Sequence, residues 1–150
     1  MGYTHYFNFS RAKVADIENG DKKFKKAINL FKKGMTMLPD IKLGDGLGKG
    51  EPIITDERLC FNGKGDEAYE TFNVILNKPM ESWDKFCKTA RQPYDVAVCI
   101  ALLCFKHYFG DDFHFRSDGD IEKGECGWKR AKRITEEYFA DEFFENLKLK

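Results

Sequence analysis

The sequence predicts a single α+β domain, in which a largely antiparallel sheet packs with an amphipathic N-terminal helix, a buried central helix and a C-terminal helix. Three observations carry that expectation. Aromatic residues alternate at period two near the N-terminus, two later stretches show helical spacing or an unbroken apolar run, and a glycine-bearing turn at 63–66 joins two strand-like runs into a hairpin. No linker, repeat or composition shift divides the 150 residues, and 42% hydrophobic with 15% aromatic content is enough for one core.

In chain order, Tyr3, His5, Phe7 and Phe9 share one face of a strand over 3–9, with Thr4, Tyr6 and Asn8 on the other. So many rings on one segment predict a strand inside the sheet. Phe24, Ala27, Ile28, Phe31 and Met35 form one stripe of a helix over 21–38, and the intervening lysines form its solvated face. The glycine-rich stretch 42–52 has neither the Walker nor the dinucleotide spacing and reads as a mobile turn. Short strands follow at 52–55 and 58–62, with a hairpin partner at 69–76 and a connection at 77–82.

Alternation at 86–91 predicts another strand, and Pro93 sits where a first helical turn tolerates it. The helix 94–109 is apolar nearly all round, so it must be enclosed. A last strand is expected over 112–116, closed by the turn 117–120. A helix over 127–147 then offers Trp128, Ala131, Ile134, Tyr138 and Phe139 to the core.

Charge narrows the classes of partner. Lysine plus arginine equals aspartate plus glutamate at 25 each, which predicts no long nucleic-acid partner and no pull toward anionic lipid. The longest apolar run, 96–105, is about half of what a bilayer-spanning helix needs, so no membrane partner is expected. Five cysteines without CxxC spacing, and an N-terminus without a secretory pattern, predict a reducing cytoplasmic location with free thiols. Tyr6 stands where a myristoylation motif has Ser or Thr, so no lipid anchor is expected.

Three blocks occur together: MGYTHYF at 1–7, LCFNG at 59–63 followed by ETF at 70–72, and FCKTARQPYD at 86–95 followed by SDGD at 117–120. In combination they resemble a family of small uncharacterised proteins of bacteriophages and bacteria, with similar blocks in the same order over most of the chain. The resemblance implies membership and brings no activity with it. Phe7 stands where such proteins often have Trp, and Gln92 where Lys is common. A phage origin would place the protein in the host cell cytoplasm.

The stretch 86–95 concentrates polar chemistry at the mouth of the apolar helix. On a continuing strand, Thr89 and Arg91 would point the same way and converge on one anion, with backbone N–H groups at the Tyr94 helix start adding donors. The competing reading pairs Arg91 with Asp95, Asp118 or Glu70 and leaves Tyr94 and Asp95 as caps. His5 can donate to a phosphate or act as a general base while Tyr3 stacks on a base, or it can be a core histidine held by a backbone carbonyl. Asn62 and Glu70 would read a base or ribose, or serve turn chemistry. Asp118, Asp120, Glu70 and His5 lack a metal-ligand pattern, so neither metal nor cofactor is expected. Cys87 reads as a buried apolar side chain rather than a nucleophile.

The expected ligand site is therefore Tyr3, His5, Asn62, Glu70, Thr89, Arg91, Tyr94 and Asp118. The leading expectation is a phage-type protein that captures an anionic, nucleotide-like small molecule to counter host defence signalling. Capture needs no catalysis. The alternatives are a phosphoester hydrolase or transferase with His5 as acid or base, and a protein-binding inhibitor of a host factor displaying aromatics at 138–144. A homo-oligomer or host protein partner remains open at this level.

Overall fold

The computed structural model describes residues 3–148, with side chains through Ala140. Strands β1 (Thr4–Phe9), β2 (Leu43–Gly44), β3 (Ile53–Thr55), β4 (Arg58–Gly63), β5 (Phe72–Ile75), β6 (Phe86–Lys88) and β7 (Phe113–Ser117) combine with helices α1 (Gly20–Thr36), α2 (Asp95–Phe109) and α3 (Trp128–Lys148). The architecture is α+β, as the periodicities predict.

The strands form two antiparallel groups. In the first, β1 lies between β6 and β7, with His5 opposite both Cys87 and Ser117. The N-terminal strand is thus internal, as its aromatic load requires. In the second, β4 pairs with β3, with β5 and, through its last two residues, with β2. The predicted hairpin of β4 and β5 forms, with a short 3-10 turn at Gly65–Glu67 inside its connection.

The inner faces of both groups and the apolar sides of the helices share one core. Phe9 meets Phe105 and Phe109 edge-on at ring-centroid distances of 5.5 and 5.2 Å, fixing β1 against the end of α2. From Val96 to Leu102 every residue of α2 is buried, which explains the run without polar interruption. Ile100 reaches Gly34, where an added Cβ would stand 3.2 Å from its methyl, so α1 packs closely on α2.

Three boundaries differ from the periodic reading. The stretch 42–52 is an ordered turn built on Asp45, whose Oδ1 accepts the N–H groups of Leu47 and Lys49, and its beginning pairs with β4. Strand β6 ends at Lys88 rather than 91, and α2 begins at Asp95 with Tyr94 as the residue before it. Part of the expected aromatic surface at 138–144 lies outside the residues whose side chains are described. Tyr138 and Phe139 are half-buried, the latter stacked on His107 at 3.9 Å.

Candidate functional site

Polar side chains from four elements meet under the mouth of α2. His5 comes from the inner face of β1, Thr89 from the turn just after β6, Asp95 from the first turn of α2, and Ser117 from the end of β7. His5 Nε2 lies 2.6 Å from Asp95 Oδ1, and that oxygen also accepts the Thr89 hydroxyl at 2.6 Å. Asp95 Oδ2 accepts the Gly127 N–H at 3.2 Å and the Cys99 thiol at 3.6 Å. Both oxygens are doubly occupied, so the carboxylate is saturated.

Ser117 Oγ accepts the Gly119 N–H at 3.0 Å and the Trp128 indole N–H at 3.1 Å. With its two lone pairs taken, the hydroxyl proton goes to His5 Nδ1 at 2.8 Å. That contact fixes the ring: Nδ1 accepts and Nε2–H donates to Asp95. His5, Thr89 and Asp95 are all buried. Gly127 and Gly119 are required by contact, because a Cβ on the first would sit 2.7 Å from Asp95 Oδ2 and one on the second would fall on the Tyr3 hydroxyl.

The electrostatics follow from this wiring. Burial alone would raise the Asp95 carboxyl, but the hydrogen bond from His5, with the Thr89 and Gly127 donors, holds it below the usual carboxylate range. Burial pushes the Tyr3 phenol and the Cys99 thiol far up, and the Asp95 carboxylate adds to both. The Tyr3 hydroxyl is buried with no hydrogen-bond partner among the described residues. Ser117 is its polar neighbour, but the Ser117 oxygen already serves His5, Gly119 and Trp128.

The predicted convergence of Thr89 and Arg91 on one strand face does not occur. After Lys88 the chain turns, and Ala90 and Arg91 take left-handed backbone angles with φ of 52° and 61°. The Thr89 and Ala90 N–H groups both reach the Tyr3 carbonyl, which closes the turn on β1. Thr89 therefore points inward to Asp95 while Arg91 emerges and lies over the Tyr3 ring, its guanidinium carbon 4.6 Å from the centroid. The expected carboxylate partners, Asp95, Asp118 and Glu70, are replaced by Glu125 at 3.7 Å, with both side chains about half exposed.

The remaining predicted residues are distributed around this centre. Glu70 accepts the Lys88 N–H at 2.7 Å, and Tyr94 donates to the Glu70 carbonyl at 2.6 Å, so the β4–β5 connection is tied to β6 by the first bond and to the start of α2 by the second. Asp118 accepts the Thr4 N–H at 3.0 Å at the end of the sheet. Asn62 does not join Arg91: it is buried at the end of β4, accepting from Gly63 and Tyr69 and donating to the Tyr69 carbonyl. Cys87 is buried opposite His5 and donates weakly to the Glu70 carbonyl, and burial raises its thiol far above the ordinary range.

Ser117, Gly127 and Trp128 escaped sequence reasoning as site residues. Only the SDGD block pointed at Ser117, and its carboxylates drew attention instead. The order Ser117, His5, Asp95 resembles a nucleophilic relay, yet the serine oxygen carries two N–H donors and His5 and Asp95 are buried. His5, Asp95 and Cys99 also place nitrogen, oxygen and sulfur within 4.8 Å of one another. The 2.6 Å hydrogen bond leaves no space for an ion between the first two, so this donor set does not fit a resident metal.

The saturated centre borders a cleft of about 320 Å³ lined by Arg91, Gln92, Pro93, Cys126, Gly127 and Arg130, with Asp95 as the one carboxylate in its lining among the described residues. Arg130 is committed to Asp40 by two hydrogen bonds of 2.9 and 2.7 Å. No helix among the described residues is long and apolar enough to cross a membrane. Comparison with protein-family models, curated proteins and solved structures gives no match for this chain.

Proposed function

We propose that the chain is a binding protein for an anionic, nucleotide-like small molecule, taken up in the cleft beside Arg91. The observation that carries this reading is the left-handed pair Ala90–Arg91, which lifts the Arg91 guanidinium off the strand and seats it on the Tyr3 ring. Two adjacent non-glycine residues in that region cost about 1–2 kcal/mol each, and such strain concentrates where a side chain must be aimed. The guanidinium keeps a donor edge toward solvent, because its contact with Glu125 is long and half exposed.

The buried centre supports the cleft rather than reacting in it. Asp95, Thr89, His5 and Ser117 spend their hydrogen bonds on one another and on the backbone, which fixes the turn that carries Arg91. Capture without turnover suits that division of labour. In a phage or its host, stoichiometric removal of a nucleotide signal would counter defence signalling, a role that rests on the resemblance of the sequence blocks.

Native mass spectrometry tests the proposal. Wild type incubated with mono-, di- and cyclic nucleotides should retain an added mass of nucleotide size, and Arg91→Ala should lose it. A wild-type spectrum showing the bare chain with every nucleotide would overturn it.

A further inference from the structure

The outer face of the β6–β1–β7 sheet is a second candidate surface, independent of the Arg91 cleft. Alternation and register bring Phe86, Tyr6 and Arg116 into one row across the three strands, with Asn8 opposite His114 in the next row along β1 and β7. Arg116 lies over the Tyr6 ring, its guanidinium carbon 4.1 Å from the centroid, and Phe86 is 39% exposed although it is a large apolar side chain on a strand. Rings and a flat guanidinium laid side by side on an open sheet form a stacking platform.

Cations dominate the grooves along this row, and Asp118, which follows Arg116 on the same face, is engaged by the Thr4 N–H at 3.0 Å. A groove of about 370 Å³ runs along Tyr6, Asn8, Lys85, His114 and Arg116, and a second joins it through Asn8 and Lys85 and continues to Arg11. Three cations, Arg11, Lys85 and Arg116, line the two grooves, and no carboxylate among the described residues does so. Asp112, near the far end, is engaged by the Ser10 hydroxyl at 2.7 Å. In a chain of zero formal net charge, that local excess of cations is a property of these grooves.

We infer that this face binds single-stranded nucleic acid, with bases stacking on Tyr6, Phe86 and the Arg116 plane while Lys85 and Arg11 neutralise phosphates. Sequence-wide charge balance predicts no long nucleic-acid partner, and the sorting of charge by the strand period is what that average conceals. Accessible π-faces are what unstacked bases use, whereas a duplex would offer only its phosphates to a flat sheet.

Fluorescence anisotropy with a labelled oligothymidylate of about ten nucleotides tests the inference. The single strand should bind at about 50 mM salt and weaken as salt rises toward about 200 mM. Arg116→Glu and Tyr6→Ala should each reduce affinity about tenfold or more. A duplex of equal length should bind less tightly, and Arg91→Ala should leave the titration unchanged. Thermal melts establish that each variant is folded, and Phe86→Ala replaces Tyr6→Ala if that protein does not fold. No binding at low salt would overturn the inference, as would equal binding of the duplex or full affinity in the folded aromatic variants. Loss of binding in Arg91→Ala with retention in Arg116→Glu would also overturn it, moving the site to the cleft.

Discussion

His5 and Asp95 meet at 2.6 Å inside the protein, so that the second residue of β1 is tied to the first residue of α2 across 90 positions of sequence. The pair is the hub of a network in which the Asp95 carboxylate and the Ser117 oxygen have no spare acceptor: removing either strands its neighbours in a buried site.

Asp95→Asn keeps the shape but places an amide N–H where the carboxylate accepts a hydrogen bond. Whichever way the amide turns, two donors, His5 and Thr89 or Gly127 and Cys99, lose their acceptor to an N–H group. Stability should fall by about 1.5–3 kcal/mol, the scale for hydrogen bonds to a charged group. Urea unfolding monitored by tryptophan fluorescence measures it, since Trp128 is itself in the network. A loss below about 0.5 kcal/mol would show the network to be dispensable.

The same carboxylate sets a pH dependence. Its folded pKa lies below the ordinary 3.8, so the unfolded chain takes up the proton first as pH falls. The contribution of Asp95 is fully present above the unfolded value and is lost as pH drops through the folded one. The gap between wild type and Asp95→Asn should therefore be constant near neutrality and narrow below about pH 4. A gap that widens on acidification would contradict this assignment.

Ser117→Ala separates a structural serine from a nucleophile. The variant leaves the Trp128 indole N–H, the Gly119 N–H and His5 Nδ1 short of a partner, and should lose about 1–3 kcal/mol. Wild-type Ser117 should not react with a fluorophosphonate, because both lone pairs of its oxygen are occupied. A covalent adduct at Ser117 would restore the hydrolase reading.

Much of the fold is legible in the sequence because it follows period. The aromatic alternation of Tyr3 to Phe9 and the unbroken run from Val96 to Phe105 have one stable solution each, an internal strand and an enclosed helix. The site was legible in part. Tyr3, His5, Thr89 and Arg91 do gather at the helix mouth, but their roles depend on a turn that period two misreads. At Thr89 the alternation stops, Ala90 and Arg91 go left-handed, and neither side chain announces it, since Gly or Asn would be the usual signal. Ser117 was illegible for another reason: its partners lie 112 and 11 residues away, brought together only by β7 and α3.

That turn gives its own test. Ala90→Gly should raise stability by roughly 0.5–1 kcal/mol, as relief of left-handed strain exceeds the extra chain entropy of glycine. If ligand binding depends on the aimed guanidinium, the same variant should bind more weakly while melting higher. A lower melting temperature would place the strain elsewhere.

Thiol titration probes the core from another side. Burial raises the Cys87 and Cys104 thiols far above their ordinary range, whereas Cys126 is exposed. Ellman's reagent should modify Cys126 rapidly in the native protein, and all 5 cysteines after denaturation without reductant. Fast native reaction of Cys104 would mean that α2 opens readily.

Calorimetric titration of wild type and Arg91→Ala with one panel of mono-, di- and cyclic nucleotides tests the central claim most directly. Removing an exposed side chain whose only short acidic contact among the described residues is a half-exposed pair at 3.7 Å should leave the melting temperature nearly unchanged. Binding of the preferred nucleotide should weaken by roughly 1.5–3 kcal/mol, the scale of a charge-assisted hydrogen bond. Should no nucleotide bind wild type while Arg91→Ala melts far earlier, Arg91 would be a structural residue and the cleft would hold no ligand.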